Sequence, residues 1–262
     1  MSKFTKFLAL ALATLMVAGM MVFTAPAAAA YEPTGDYASD IALLNALDVM
    51  LGDGISFNEK QEVTRWQMAL FIARIVTGET GNEMWEAEKS AYYTDVDATD
   101  YPGAIDFCYD MGYMNGVGDN KFDPDANIIY QDALTLLVRL LGYETTDTKY
   151  PWGHILTAQD IDNVKGEYLT DDIFAGYREP LLREEVANLI AKAIYVNRIG
   201  GYNANGNPIY KGTLIETGLK AADLGTATLV ATYNAAIAGY EPTADLDVVT
   251  FIYVNEEEQL ET

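Results

Sequence analysis

Residues 115–143, NGVGDNKFDPDANIIYQDALTLLVRLLGY, decide the fold. The first half sets acidic residues at alternate positions, as a calcium loop does. The second half carries apolar residues at helical spacing. An EF-hand loop wants oxygen ligands at positions one, three and five, glycine at six and glutamate at twelve. Counted from Asp119, position three is Lys121, position six is Pro124 and position twelve is Tyr130. Counted from Asp123, position six is Ile128 and position twelve is Leu134. Neither register supplies the ligands, so the stretch reads as a solvated acidic turn that introduces a helix, with no metal site.

Working outward, that helix has relatives on both sides. The three segments are TRWQMALFIARIVTG from Thr64, IYQDALTLLVRLLGY from Ile129 and LREEVANLIAKAIYV from Leu182. A basic residue nine places after the second position sets the register: Arg65 leads to Arg74, Tyr130 to Arg139 and Arg183 to Lys192. Apolar residues recur at helical spacing in each segment. Phe57 lies eight residues before Arg65, and Phe122 lies eight before Tyr130. An earlier helix is expected before each turn, in YASDIALLNALDVMLGDG, YPGAIDFCYDMGYMNGVGDN and, more loosely, YPWGHILTAQDIDNVKG. The unit is therefore helix, glycine-bearing turn, aromatic plug, second helix. Thr64 with Gln67 predicts a capping box.

The N-terminus speaks to compartment. Lys3 and Lys6 precede an apolar run from Phe7 to Phe23, and Ala28-Ala29-Ala30 satisfies the small-residue rule for cleavage before Tyr31. Residues 1–30 are expected to be a secretory signal peptide, and after cleavage no segment has the apolar length to span a bilayer. Across the chain, 39 acidic residues outnumber 16 basic ones, for a net charge of −23. Such a balance leaves no basic patch to displace counterions and argues against nucleic acid as a partner. The single cysteine, Cys108, excludes an intramolecular disulfide and is expected to be a buried, inert thiol.

The TRWQ and LREE segments, the G-x-G-D-x-x-F-x-P turn from Gly116 to Pro124 and the LLGY helix end at Leu140–Tyr143 resemble S-layer homology domains. The resemblance covers about residues 37–197. It implies a mainly α fold of three helix-turn-helix repeats in a pseudo-threefold bundle, at residues 37–78, 93–143 and, in divergent form, 148–197. It also implies grooves between repeats that bind a pyruvylated secondary cell-wall polysaccharide of a Gram-positive surface. The family's motif arginine falls on Arg65 and Arg183, and a guanidinium meets the ketal carboxylate with paired hydrogen bonds. Tyr130 stands where the second repeat would have arginine, and offers one neutral hydrogen bond instead. Trp66 is a candidate sugar-stacking face or a packing aromatic, and Trp152 has the same two readings. His154, the only histidine, is expected to pack.

Nothing in the sequence supplies a nucleophile elbow, a zinc-protease helix or a phosphate-binding glycine loop. The chain is expected to be non-catalytic and to need no cofactor. The alternative is a secreted enzyme or solute-binding protein, acting on wall glycan, that retains the repeat scaffold. Residues 198–212 read as a glycine- and asparagine-rich linker. Residues 213–262 read as a small tail with a short helix and strands at 226–233 and 247–254, docked on the helical body or paired with other surface-layer chains.

Overall fold

The computed structural model describes residues 35–217 and 219, apart from 54, 55, 172 and 174. The expected signal peptide and the two tail strands lie outside the described residues. Within them the chain is mainly helical. The helices are α1 (Ala38–Ala46), α2 (Arg65–Thr77), α3 (Pro102–Asp110), α4 (Tyr130–Leu141), α5 (Trp152–Asp160), α6 (Arg183–Ala193) and the short α7 (Leu214–Thr217). Two 3-10 turns, Asn82–Met84 and Ala98–Asp100, lie between α2 and α3.

The helix starts follow from local chemistry. Thr64 and Gln67 form the capping box: the threonine hydroxyl accepts from the Gln67 N–H at 3.5 Å, and the Gln67 amide oxygen accepts from the Thr64 N–H at 3.2 Å. At α6, Glu185 reaches back to the Leu182 N–H at 2.8 Å. Gly142 ends α4 in the left-handed region at φ 80°. A Cβ there would stand 2.1 Å from the Ile199 carbonyl oxygen, so this position serves close approach as well as conformation.

The helices pair as α2 with α3, α4 with α5, and α6 with α1. The last pair joins the two ends of the helical region through a buried bond from Asn188 Nδ2 to Asp40 Oδ2 at 2.8 Å. The core combines Leu44, Met68, Ile72, Leu134 and Leu189 with the two aromatic plugs Phe57 and Phe122, all essentially without exposure. Cys108 is buried between α3 and α2, its Sγ 3.5 Å from the Ala69 carbonyl, and burial pushes its thiol pKa up.

The first N–H groups of a helix have no intrahelical acceptor. Here each long helix borrows carbonyls from the segment leading into another. Arg65 N–H donates to Ala126 O, Tyr130 N–H to Glu179 O, and Arg183 N–H to Gln61 O, at 2.8–3.0 Å. The next residues repeat the pattern: Trp66 to Pro124, Gln131 to Tyr177 and Glu184 to Glu59. One step inward, Val63 N–H donates to Leu181 O, Leu181 N–H to Ile128 O, and Ile128 N–H to Val63 O, at 2.8–3.0 Å. These three bonds close on themselves.

The acidic turn before α4 is explained by backbone conformation. Asp119, Asn120 and Asp123 all have positive φ, which aspartate and asparagine tolerate better than other non-glycine residues. The Asp95 carboxylate accepts from the Phe122 and Asp123 N–H groups at 2.9 and 3.0 Å. Asn58, the residue after Phe57, has positive φ as Asp123 does after Phe122.

Residues 198–212 differ from the linker expectation. β1 (Ile199–Tyr202) pairs antiparallel with β2 (Pro208–Tyr210). The Asn203 side-chain oxygen closes the turn by accepting from the N–H groups of Asn205 and Asn207 at 2.9 and 3.0 Å. The asparagine-rich composition that suggested a linker is the chemistry of this turn. Beyond it, Leu214 and Ile215 are buried, and Ile215 N–H donates to Ile194 O at 3.1 Å.

Candidate functional site

The side chains at the first position of the three long helices lie at the joins described by those borrowed hydrogen bonds. Arg65 donates from Nε to Phe122 O at 3.0 Å and from Nη2 to Asn115 O at 2.9 Å, with its guanidinium 4.6 Å above the Phe122 ring. Arg183 repeats the arrangement. It donates from Nε to Phe57 O and from Nη2 to Leu51 O, both at 2.9 Å, with its guanidinium 4.8 Å from the Phe57 ring. Burial pulls both arginines' pKa values down, opposed at Arg65 by Asp132 and Asp123 and at Arg183 by Asp53.

Tyr130 takes the corresponding place on α4. Its ring stacks on Tyr177 at 5.4 Å and 18°, and only 2% of the residue is exposed. Burial raises its pKa. The hydroxyl is sealed from solvent and has no hydrogen-bond partner among the described residues. An unpaired buried hydroxyl is a cost to the fold, so Tyr130→Phe is expected to stabilise the protein by about 1 kcal/mol. Urea unfolding measures this directly; a loss of stability on that substitution overturns it.

Trp66 stands elsewhere. It is half-buried against a small cluster of Leu70, Ala73, Trp85 and Ala104, its ring 5.7 Å from Tyr101. The four sequence candidates therefore do not converge on one site. Arg65 alone among them lines a cavity of about 300 Å³, together with Asp132, Arg139, Tyr150 and the stretch Asn115–Val117. The Tyr150 hydroxyl donates to Asp132 Oδ1 at 2.9 Å and accepts from Gln131 Nε2 at 2.7 Å, which orients both against the cavity.

Arg139 and Tyr150 are the residues that sequence reasoning did not single out as ligand contacts. Arg139 had entered only as a register mark, and its two register mates behave differently. Arg74 is 3% exposed and donates to Val49 O and the Asn82 side chain; Lys192 is 5% exposed and reaches Asp171 O. Arg139 is half-buried and donates from Nε to Glu144 Oε1 at 3.1 Å. The same carboxylate oxygen lies 2.8 Å from Nε2 of the buried His154. Burial would raise the Glu144 pKa, but hydrogen bonds from His154 and Arg139 outweigh it and hold the carboxyl below its ordinary range. His154 thus packs in the core and carries a polar contact as well.

Residues 92–134 match the S-layer homology domain. Over 178 residues the chain is 34% identical to a cell surface protein of Thermoanaerobacter kivui, a match covering 66% of this chain and 22% of that protein. It is 31% identical over 140 residues to the middle cell wall protein of Brevibacillus brevis, covering 52% of this chain and 13% of the relative. It is 32% identical over 140 residues to a surface layer protein of Brevibacillus choshinensis, covering 50% and 12%. The chain spans less than a quarter of the length of each of these relatives. The matched segment contains the acidic turn, the start of α4 and the cavity residues Asn115–Val117, Ile128 and Asp132. The chain carries an S-layer homology domain at residues 92–134 and is a cell-surface protein.

Proposed function

We propose that this chain is a non-catalytic wall-binding module that holds an anionic, pyruvylated secondary cell-wall polysaccharide at the joins between three S-layer homology repeats, residues 37–78, 93–143 and 148–197. The repeats are arranged about a pseudo-threefold axis. The closed set of backbone bonds among Val63, Ile128 and Leu181 supports that arrangement. The observation that carries the ligand reading is the cavity of about 300 Å³ lined by two guanidiniums, Arg65 and Arg139, in a chain of net charge −23. The guanidiniums share the cavity with Asp132, and Arg139 is paired with Glu144, so the site offers directed charged donors to an acidic sugar rather than an excess of positive charge. Arg183 is the counterpart of Arg65 at another join, while Tyr130 and Trp66 pack. Through its tail the module takes part in surface-layer assembly with other chains.

Co-sedimentation with purified sacculi tests the reading. The protein is expected to pellet with sacculi that retain the polysaccharide and to stay in solution with sacculi stripped of it. Repulsion between the protein and an anionic glycan is screened beyond about 8 Å at physiological ionic strength. Raising salt from very low to physiological is therefore expected to leave binding unchanged or strengthen it. Equal pelleting with stripped sacculi, or a steep loss of binding as salt rises, contradicts the proposal.

A further inference from the structure

A guanidinium offers paired donors along two edges, side-on from Nε with Nη2 and end-on from Nη1 with Nη2. At Arg65, Nε and Nη2 are both engaged by backbone carbonyls, those of Phe122 and Asn115. Arg183 spends the same two nitrogens in the same way, on Phe57 O and Leu51 O. An arrangement repeated at two joins, carbonyl for carbonyl and ring for ring, is one that fastens each arginine to the turn it crosses. Arg65 lines the cavity, and among the described residues its Nη1 makes no hydrogen bond within the protein.

Arg139 has the opposite accounting. Its Nε is held by Glu144, which His154 holds in turn. Among the described residues neither terminal nitrogen makes a hydrogen bond within the protein, and neither is sealed from solvent. Its register mates Arg74 and Lys192 spend their terminal donors inside the fold. Arg139 alone of the three lines the cavity. The one acid among the cavity residues, Asp132, is engaged by the Tyr150 hydroxyl.

We propose that Arg139, with its end-on edge, is the residue that grips the carboxylate of an acidic sugar in this cavity, and that Arg65 positions the wall and adds one further donor. The proposal rests on the wall-glycan reading above and assigns the contact within it. A cavity of about 300 Å³ is at the small end of ligand pockets, which suits one acidic sugar residue. Glu144 and His154 are positioning residues that fix the direction of the Arg139 guanidinium.

The test uses a pyruvate-ketal methyl hexoside, and the same hexoside without the ketal, titrated into the protein by calorimetry. Saturable binding of the ketal sugar alone is expected. Both Arg139→Gln and Arg139→Lys should weaken it about tenfold or more, because lysine keeps the charge but not the planar pair of donors. Either substitution should lower the urea midpoint only slightly, since the Arg139–Glu144 pair is partly exposed, at 20% and 38%. Arg65→Lys should lower the midpoint as well as the affinity. An Arg139→Gln protein that binds the ketal sugar like wild type overturns the assignment, as does wild type that shows no saturable preference for the ketal. Sacculus sedimentation run alongside separates the two readings. Binding of the ketal sugar without binding of sacculi removes the wall reading and leaves the Arg139 contact standing. Sacculus binding unaltered in Arg139→Gln leaves the wall reading and removes Arg139 from it.

Discussion

Phe122→Ala is expected to cost about 3–5 kcal/mol of folding stability. The side chain is fully buried, and its ring packs 5.3 Å from Tyr93 on one side and lies under the Arg65 guanidinium on the other. Its backbone is held at both ends, by Asp95 at the N–H and by Arg65 at the carbonyl. The turn therefore cannot collapse into the space that truncation leaves, which places the cost toward the upper end of the range. A urea titration should show a lower midpoint with an unchanged slope. Phe122→Leu should recover most of the loss, because it restores volume but not the ring face. A Phe122→Ala loss below about 1 kcal/mol would mean that the site relaxes freely and that Phe122 is not a plug.

Arg183→Ala is expected to cost about 3 kcal/mol, by a different route. Two carbonyls lose a charged donor, but they are not equivalent. Leu51 is 42% exposed, so water replaces the arginine there; Phe57 is 1% exposed, so its carbonyl has no substitute. A hydrogen bond to a charged group is worth about 1.5–3 kcal/mol. The contact with the Phe57 ring adds about 0.5–2 kcal/mol. Against these stands the desolvation of the guanidinium, visible as the downward pull on its pKa. Arg183→Lys should recover only part of the loss, since one ammonium cannot hold two carbonyls and cover a ring. Unfolding of Arg183→Ala at the wild-type midpoint would show that the residue serves ligand alone. Any sacculus-binding defect in that variant has to be judged against its folded fraction.

The starts of α2, α4 and α6 were legible because the helical period, the Thr64–Gln67 box and the glycine stops are local signals. The burial of Phe57, Phe122 and Cys108 was legible for the same reason: each sits in an apolar pattern beside a turn. The acidic turn was legible only by exclusion. Spacing removed the calcium loop, but the actual use of Asp119 and Asp123, positive φ, leaves no trace beyond residue type. Arg65 and Arg183 open α2 and α6 where the repeat register puts them, but how their donors are used was not legible. That Arg65 and Arg183 spend two donors on carbonyls depends on which turn lies across from each helix start, which no local pattern states. Arg139 was hidden by its own regularity. It occupies a register shared with Arg74 and Lys192, and only the fold separates the cation that faces a cavity from the two that face backbone. The hairpin at Ile199–Tyr210 was read as a linker because Asn203 serves a tight turn and an open segment with the same composition.

The bonds that run from Val63 to Leu181, from Leu181 to Ile128 and from Ile128 to Val63 form a circuit rather than a row. A row can be lengthened or shortened at either end, and what remains keeps its neighbours. A circuit has a fixed valency. Removing any one of its three members strands a donor on one survivor and an acceptor on the other, and a fourth member could enter only by breaking a link. The circuit also has a calendar. The link between Ile128 and Val63 is available as soon as residue 128 has been made, whereas both remaining links wait for residue 181. Leu181 is the keystone: until it arrives the first two thirds of the circuit are an arch without its closing stone, and the N–H of Val63 still belongs to water.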